Sequence, residues 1–187
     1  MAEKAITIYT PEGSIPHINA DDDAFIHRSF AGLDNMILGS LQCNRNPGLN
    51  SVILSGVGGV SNKGYVCYLY QGDNVELPFA GPVATRSRSS LVVAQFTRGG
   101  GATSDQHVFA VVDGVAGINA VDPDLTTSPL TQIGDINQVA LFRITSAADG
   151  SISISAPLLP TAVPIILGEA DPPATGIPNS LYVQMLQ

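Results

Sequence analysis

The stretch that most constrains this chain is residues 49–144, a train of short β-prone segments punctuated by glycine. Residues 51–55 carry Val52, Ile53 and Leu54, then give way to Gly56-Val57-Gly58-Gly59. Residues 65–70 alternate, with Tyr65, Cys67 and Leu69 on one face and Val66, Tyr68 and Tyr70 on the other. Gln71-Gly72-Asp73-Asn74 has the composition of a hairpin turn leading into Val75-Glu76-Leu77. Residues 91–96 are nearly continuously apolar, as expected of a central strand buried on both faces. Strands are also expected at 108–112, 139–144 and 152–155, the last two joined around Asp149-Gly150. Residues 125–135, with Pro129, read as a polar connection.

Charged residues make up only 13% of the chain against 44% hydrophobic, about half the usual charged share of a soluble protein. So few charges leave part of the exterior to be covered by other subunits, the competing reading being a neutral, Gly/Ser/Thr-rich monomer. The formal net charge is −8, and Arg86, Arg88 and Arg98 are separated by neutral residues. A phosphate-neutralising surface needs clustered cations, so nucleic acid is not an expected partner. Cys43 and Cys67 lie in dissimilar contexts and are expected as free thiols. The most apolar tract, 156–168, is interrupted by Pro157, Pro160 and Pro164, and is shorter than the roughly 20 residues a spanning helix needs. The expectation is a soluble chain made in a cytoplasm, with no membrane insertion.

Outside the train the pattern differs at both ends. Residues 1–48 suggest an extended arm and then one short helix. Asn19 or Asp21 can cap that helix, and Asp22 and Asp23 suit its positive end. Phe25, Ile26, Phe30 and Leu33 form its apolar stripe, Gly32 or Gly39 ends it, and Met36, Ile37, Leu38 and Leu41 continue the apolar contact. Residues 44–50, containing Pro47-Gly48, are a turn-rich link. Residues 157–187 form a Pro-rich extension with a terminal strand at 181–186. Such a tail must dock on its own subunit or a neighbour, burying Leu158, Leu159, Ile165, Ile166, Leu181 and Tyr182. The expected fold is mainly β, an antiparallel β-sandwich or related barrel over residues 49–156, with one short N-terminal helix and extended N- and C-terminal arms.

Motifs for covalent chemistry fail one by one. Gly56 to Ser61 lacks the third glycine of a dinucleotide loop and no helix follows it; Asn62-Lys63-Gly64 does not fit a phosphate loop. No Gly-x-Ser-x-Gly elbow occurs. His17, His27 and His107 have no metal-pair spacing. His17 with Asp21 to Asp23 offers a metal alternative to capping, and Asp122-Pro123-Asp124 reads as a turn before a calcium ligand. The absence of Trp and the 6% aromatic content weaken a sugar platform, although Tyr65, Tyr68 and Tyr70 share a strand. No cofactor, metal or catalytic residue is expected. Arg88, ahead of the buried strand, suits a carboxylate at a subunit junction, the alternative being a solvated Arg at a strand start.

The order of the segments resembles the minor tail and baseplate proteins of long-tailed, siphovirus-like bacteriophages, especially those of actinobacteria. The matching pieces are the acidic-capped stretch 22–33, the strand ending in glycine at 52–59, and Gly64-Tyr65-Val66. The most recognisable piece is Arg88-Ser89-Ser90-Leu91-Val92-Val93-Ala94. Val111-Val112-Asp113-Gly114, Pro129-Leu130, residues 139–144 and the ending 176–184 follow in the same order. The chain departs from the pattern at Ser89-Ser90 and at Gly114-Val115-Ala116. The resemblance implies a non-enzymatic structural virion protein of a tail tip or baseplate, made in the host bacterial cytoplasm. It implies a homo-oligomer, a trimer or cyclic ring, bound to other tail or baseplate proteins. The alternatives are a receptor-binding module for a host cell-surface glycan, with contacts on loops such as 98–105, and a capsid decoration or head-fibre protein.

Overall fold

A computed structural model describes residues 34–70, 72–99, 105–161, 165–168 and 181–184, the last two segments as backbone alone. Among these residues the chain is mainly β, with two four-stranded antiparallel sheets and no helix. The first sheet is built from β1 (Met36–Arg45), β2 (Ser51–Asn62), β3 (Tyr65–Leu69) and β4 (Val75–Pro78). β2 is its centre. β1 pairs with β2 from Met36↔Ser61 to Arg45↔Val52, while β3 and then β4 share the opposite side. The β2–β3 turn is a two-residue one, Lys63-Gly64, with φ of 52° and 86°, the positive pair that matches strand twist.

The second sheet contains β5 (Arg88–Thr97), β6 (Gln106–Asp113), β7 (Ile136–Ser146) and β8 (Ile152–Ile154), in the order β6-β5-β7-β8. β5 is central, as its apolar run requires. Side chains of one parity, Val92, Ala94 and Phe96, join Phe142 and Ile144 of β7 and Val52, Leu54, Val60 and Cys67 of the first sheet in one buried cluster. The other parity is covered as well: Leu91 is 4% exposed and Val93 0%. A register shift between Val92 and Val93 fits the extra residue Leu141 into the β5–β7 ladder.

The segment after β6 crosses the outer face of the second sheet. Gly117 exchanges backbone hydrogen bonds with Ser87, and Asp122 accepts from Ser89 Oγ and from the Arg143 guanidinium. Thr126 and Ser128 then bond the free edge of β7 at Gln138 and Ile136. The anchors Ser89, Arg143 and Gln138 share the face of Leu91 and Val93 in the ladder, so the crossing segment lies over those residues. Asp113 ends β6 by accepting from Ser90 Oγ and Ala80 N–H.

Several sequence expectations meet a different structure. The apolar residues Met36, Ile37, Leu38 and Leu41 lie in β1, not at the end of a helix, and the link at 44–50 is the β1–β2 hairpin loop. The β-sheet therefore reaches back to Met36, ahead of the expected start at residue 49. The expected helix and arm within 1–33 lie outside the described residues. The glycines at 56–59 are not a strand end, because β2 runs through them to Asn62. The turn before Val75 does not make β3 and β4 a hairpin; each pairs with β2 instead. Leu130, in the expected polar connection, is a core residue with φ of 62°.

Gly56 is required where it stands. Its φ is 116°, and a Cβ there would run into the Ser40 carbonyl oxygen of β1. Gly48, in the hairpin loop with φ of 78°, has no atom within 4 Å of a built Cβ. Gly56→Ala should therefore destabilise the fold by about 2 kcal/mol or more, while Gly48→Ala should cost about 1 kcal/mol from backbone strain alone. Urea denaturation of the two variants checks the ranking.

Candidate assembly surface and polar cleft

The extended tail begins by docking on its own subunit. Leu158 N–H donates to Leu141 O at 2.8 Å and Ile37 N–H to Pro160 O at 2.9 Å, and Thr161 bridges Ile37 in parallel. Leu159 packs against the core cluster, whereas Leu158 is exposed. Of the other tail residues expected at an interface, Ile165 and Ile166 lie in β9 (Ile165–Gly168) and Leu181 and Tyr182 in β10 (Leu181–Gln184). The backbone brings these two pairs together, Leu181↔Ile165 and Tyr182↔Ile166, in a parallel two-stranded ribbon. The expected terminal strand thus exists, with its partner in the same tail.

Arg88 opens β5 and donates from an Nη to Gly81 O at 3.2 Å; its Nε is buried without a hydrogen-bond partner. Its recorded partner is a carbonyl on the same chain, not a carboxylate.

The segment that covers Leu91 carries an apolar patch that the sequence reading did not single out. Val115, Ile118 and Val121 are 88%, 92% and 68% exposed. They sit on well-tied backbone. Gly114 N–H donates to Ser89 O, Gly117 is bonded in both directions to Ser87, and an Arg86 Nη donates to Ala116 O. The sequence signal was available: three branched aliphatic residues in a stretch with no strand alternation and no partner pattern.

A second cluster lies where β3 meets the β5–β6 end. The Arg98 guanidinium donates to Tyr65 Oη and pairs with Asp105 at 3.3 Å, and the Gly99 N–H donates to Asp105 at 2.8 Å. His107 lies between the rings of Tyr65 and Phe96, with centroids 5.4 and 5.2 Å away. Burial holds its pKa below the ordinary 6.5, against the raising effects of the Gln106 backbone and the Asp105 charge. Tyr68, in β3, and Tyr70, just past its end, are both exposed and meet edge to face at 4.7 Å.

Comparison with family models, curated proteins and solved structures gives no match. Both cysteines are free thiols, with burial raising the pKa to about 11 at Cys43 and about 12 at Cys67. Among the described residues no group of three or more His, Cys, Asp or Glu is placed to hold a metal, and no helix is long and apolar enough to cross a membrane. The His17 and Asp21 to Asp23 candidates lie outside the described residues. Asp122 is engaged by Arg143 and Ser89, and the Arg143 hydrogen bond is the first cause of its lowered pKa.

One cleft of about 480 Å³ lies at the end of the two sheets, lined by Asp34, Asn35, Asn62, Lys63, Thr127, Asn137, Gln138, Val139, Ala140, Leu158 and Leu159. Its floor is a relay of amides. Asn62 Nδ2 donates to Asn137 Oδ1, and Asn137 Nδ2 donates to Ser128 O at 2.7 Å. Lys63 Nζ donates to the same Ser128 carbonyl at 3.0 Å, and Lys63 N–H to Asp34 Oδ1 at 2.8 Å.

The His107 environment fixes the sign of one pH effect. With a folded pKa below the unfolded 6.5, the unfolded chain takes up the proton first, so stability is complete above pH 6.5 and falls as pH drops below it. The midpoint of urea unfolding should fall between about pH 7.5 and about pH 5.5. His107→Phe should flatten that dependence, since the carboxylates with lowered pKa titrate at more acid pH.

Proposed function

We propose that this chain is a structural protein of a bacteriophage virion, in the tail tip or baseplate. It assembles as a homo-oligomer and does no covalent chemistry. In this reading the two antiparallel sheets stack as a β-sandwich, a rigid body that presents docking surfaces. The observation that carries it is the Val115–Ile118–Val121 patch: strongly exposed branched aliphatics held by a backbone bonded to the sheet at Ser87 and Ser89. An apolar surface on a backbone already held in place loses little backbone freedom when it is covered, which favours association. The low charged fraction supports the same reading, because apolar patches of this kind mark contact with other protein. The order of motifs from Arg88 to Ile144, which resembles tail and baseplate proteins, supplies the virion context, and other tail or baseplate proteins are the proposed further partners.

A receptor-binding role in the same particle is the second reading. The exposed Tyr68–Tyr70 pair favours it, since aromatic faces at a rim suit sugar contacts.

Sedimentation velocity tests the lead. The purified chain should run as an oligomer, and Val115→Asp with Ile118→Asp should shift it toward monomer while the melting temperature changes by only a few degrees, about what a 1 kcal/mol effect gives. A wild-type chain that stays monomeric alone and with tail components present would remove the proposal.

A further inference from the structure

We infer that the cleft between the Lys63 turn, the start of β7 and Leu158-Leu159 binds a neutral sugar residue. The inference rests on the receptor-binding reading and deepens it, placing the contact at the Lys63 turn and the start of β7. It begins with Asn62, which is only 3% exposed, beside Asn137 at 5%. The relay Asn62 to Asn137 to Ser128 O fixes the orientation of both amides and consumes one Asn62 N–H. Asn62 Oδ1 and its second amide hydrogen have no partner among the described groups. Asn62 lines the cleft, and its Oδ1 is not sealed from solvent.

One carbonyl and one N–H left over at the same spot select the ligand's chemistry. A phosphodiester or carboxylate accepts from the N–H and leaves the carbonyl unmet. An ammonium does the reverse, and a hydrocarbon meets neither. A hydroxyl donates and accepts, and a ring bearing several of them satisfies both atoms together. The charges agree with a neutral ligand. One ammonium, Lys63, and one carboxylate, Asp34, line the site, and each already holds a partner. Gln138 is likewise fixed, by Gln95 through its Nε2 and by Thr126 N–H through its Oε1. Val139, Ala140, Leu158 and Leu159 also line the cleft and give it apolar surface for the C–H face of a ring. The volume lies within the range of small-molecule sites, about 300–1,000 Å³.

The test is a titration of isotopically labelled full-length chain, followed by NMR, with glucose, galactose, rhamnose and N-acetylglucosamine, each to about 50 mM. At least one sugar should give saturable shifts of the Asn62 and Asn137 side-chain amides. Asn62→Leu should weaken that sugar by about tenfold or more. Because Asn62 is buried, Leu158→Ser at the exposed rim provides a second variant, expected to weaken the same sugar with the melting temperature unchanged. Absence of saturable shifts with all four sugars overturns the inference. So do saturable shifts confined to Tyr68 and Tyr70, or an equal response of the cleft to inorganic phosphate or glycine. Oligomer mass is measured separately, so loss of the sugar site leaves the assembly proposal standing, and a monomer that binds sugar leaves this site standing.

Discussion

The structure depends on one requirement, that β5 be covered on both faces. A strand with the sequence Leu91-Val92-Val93-Ala94-Gln95-Phe96 cannot leave either side to water. Its inner face is covered by the first sheet through the shared cluster of Val92, Ala94 and Phe96 with Val52, Leu54 and Val60. Its outer face has no second sheet among the described residues, so the chain after β6 crosses back over it. That crossing works because Asp122 meets both Ser89 and Arg143, holding the segment down between two strands. The pair is exposed enough that its electrostatic value is small; its use is positional. The apolar patch at Val115, Ile118 and Val121 is a by-product of the same route, since the segment turns its remaining side chains away from the sheet it covers.

What was legible in the sequence follows from which residues carry period-2 information. β3, β5 and the β7–β8 pair were readable because alternation or a continuous apolar run, bounded by turn residues, has one interpretation at those lengths. β1 was not. Ile37 and Leu41 are four apart, a spacing that suits one face of a helix and one face of a strand equally, and Met36 and Leu38 fill in both patterns. Only the ten-residue pairing with β2, a long-range fact, decides between them. The glycines of β2 misled for a related reason. Glycine punctuates local structure, but Gly56 and Gly58 answer to the approach of β1 across the ladder, which local sequence does not encode.

The cleft was less legible still. No motif joins Asn62 to Asn137 or either to Leu158, and the three meet only because a two-residue turn, a strand start and the tail converge at one end of the fold. Asn62 and Lys63 were read only as a failed phosphate loop, and Leu158 as a tail residue to be buried by docking, whereas its side chain is exposed. Leu130 shows the limit from the other side. A bulky residue with positive φ in a Pro-containing connection gives no sequence signal of burial. The local bonds that hold it, from Thr131 and Gln132 N–H to Asp135, appear only in three dimensions.

The division of one side of β2 between β3 and β4 has a consequence for how this chain can change length. Gly58 pairs with Leu69 and Leu54 with Val75, so Ser55, Gly56 and Val57 face the longer stretch from Tyr70 to Asn74. The registers of β3 and β4 are each fixed by their own contacts with β2. Residues can be added between them without moving any side chain from the inner face to the outer one. Inside any strand of this sheet a single insertion would invert the residues beyond it. Here the fold has a built-in seam, where a peptide label can be carried without disturbing the ladder on either side.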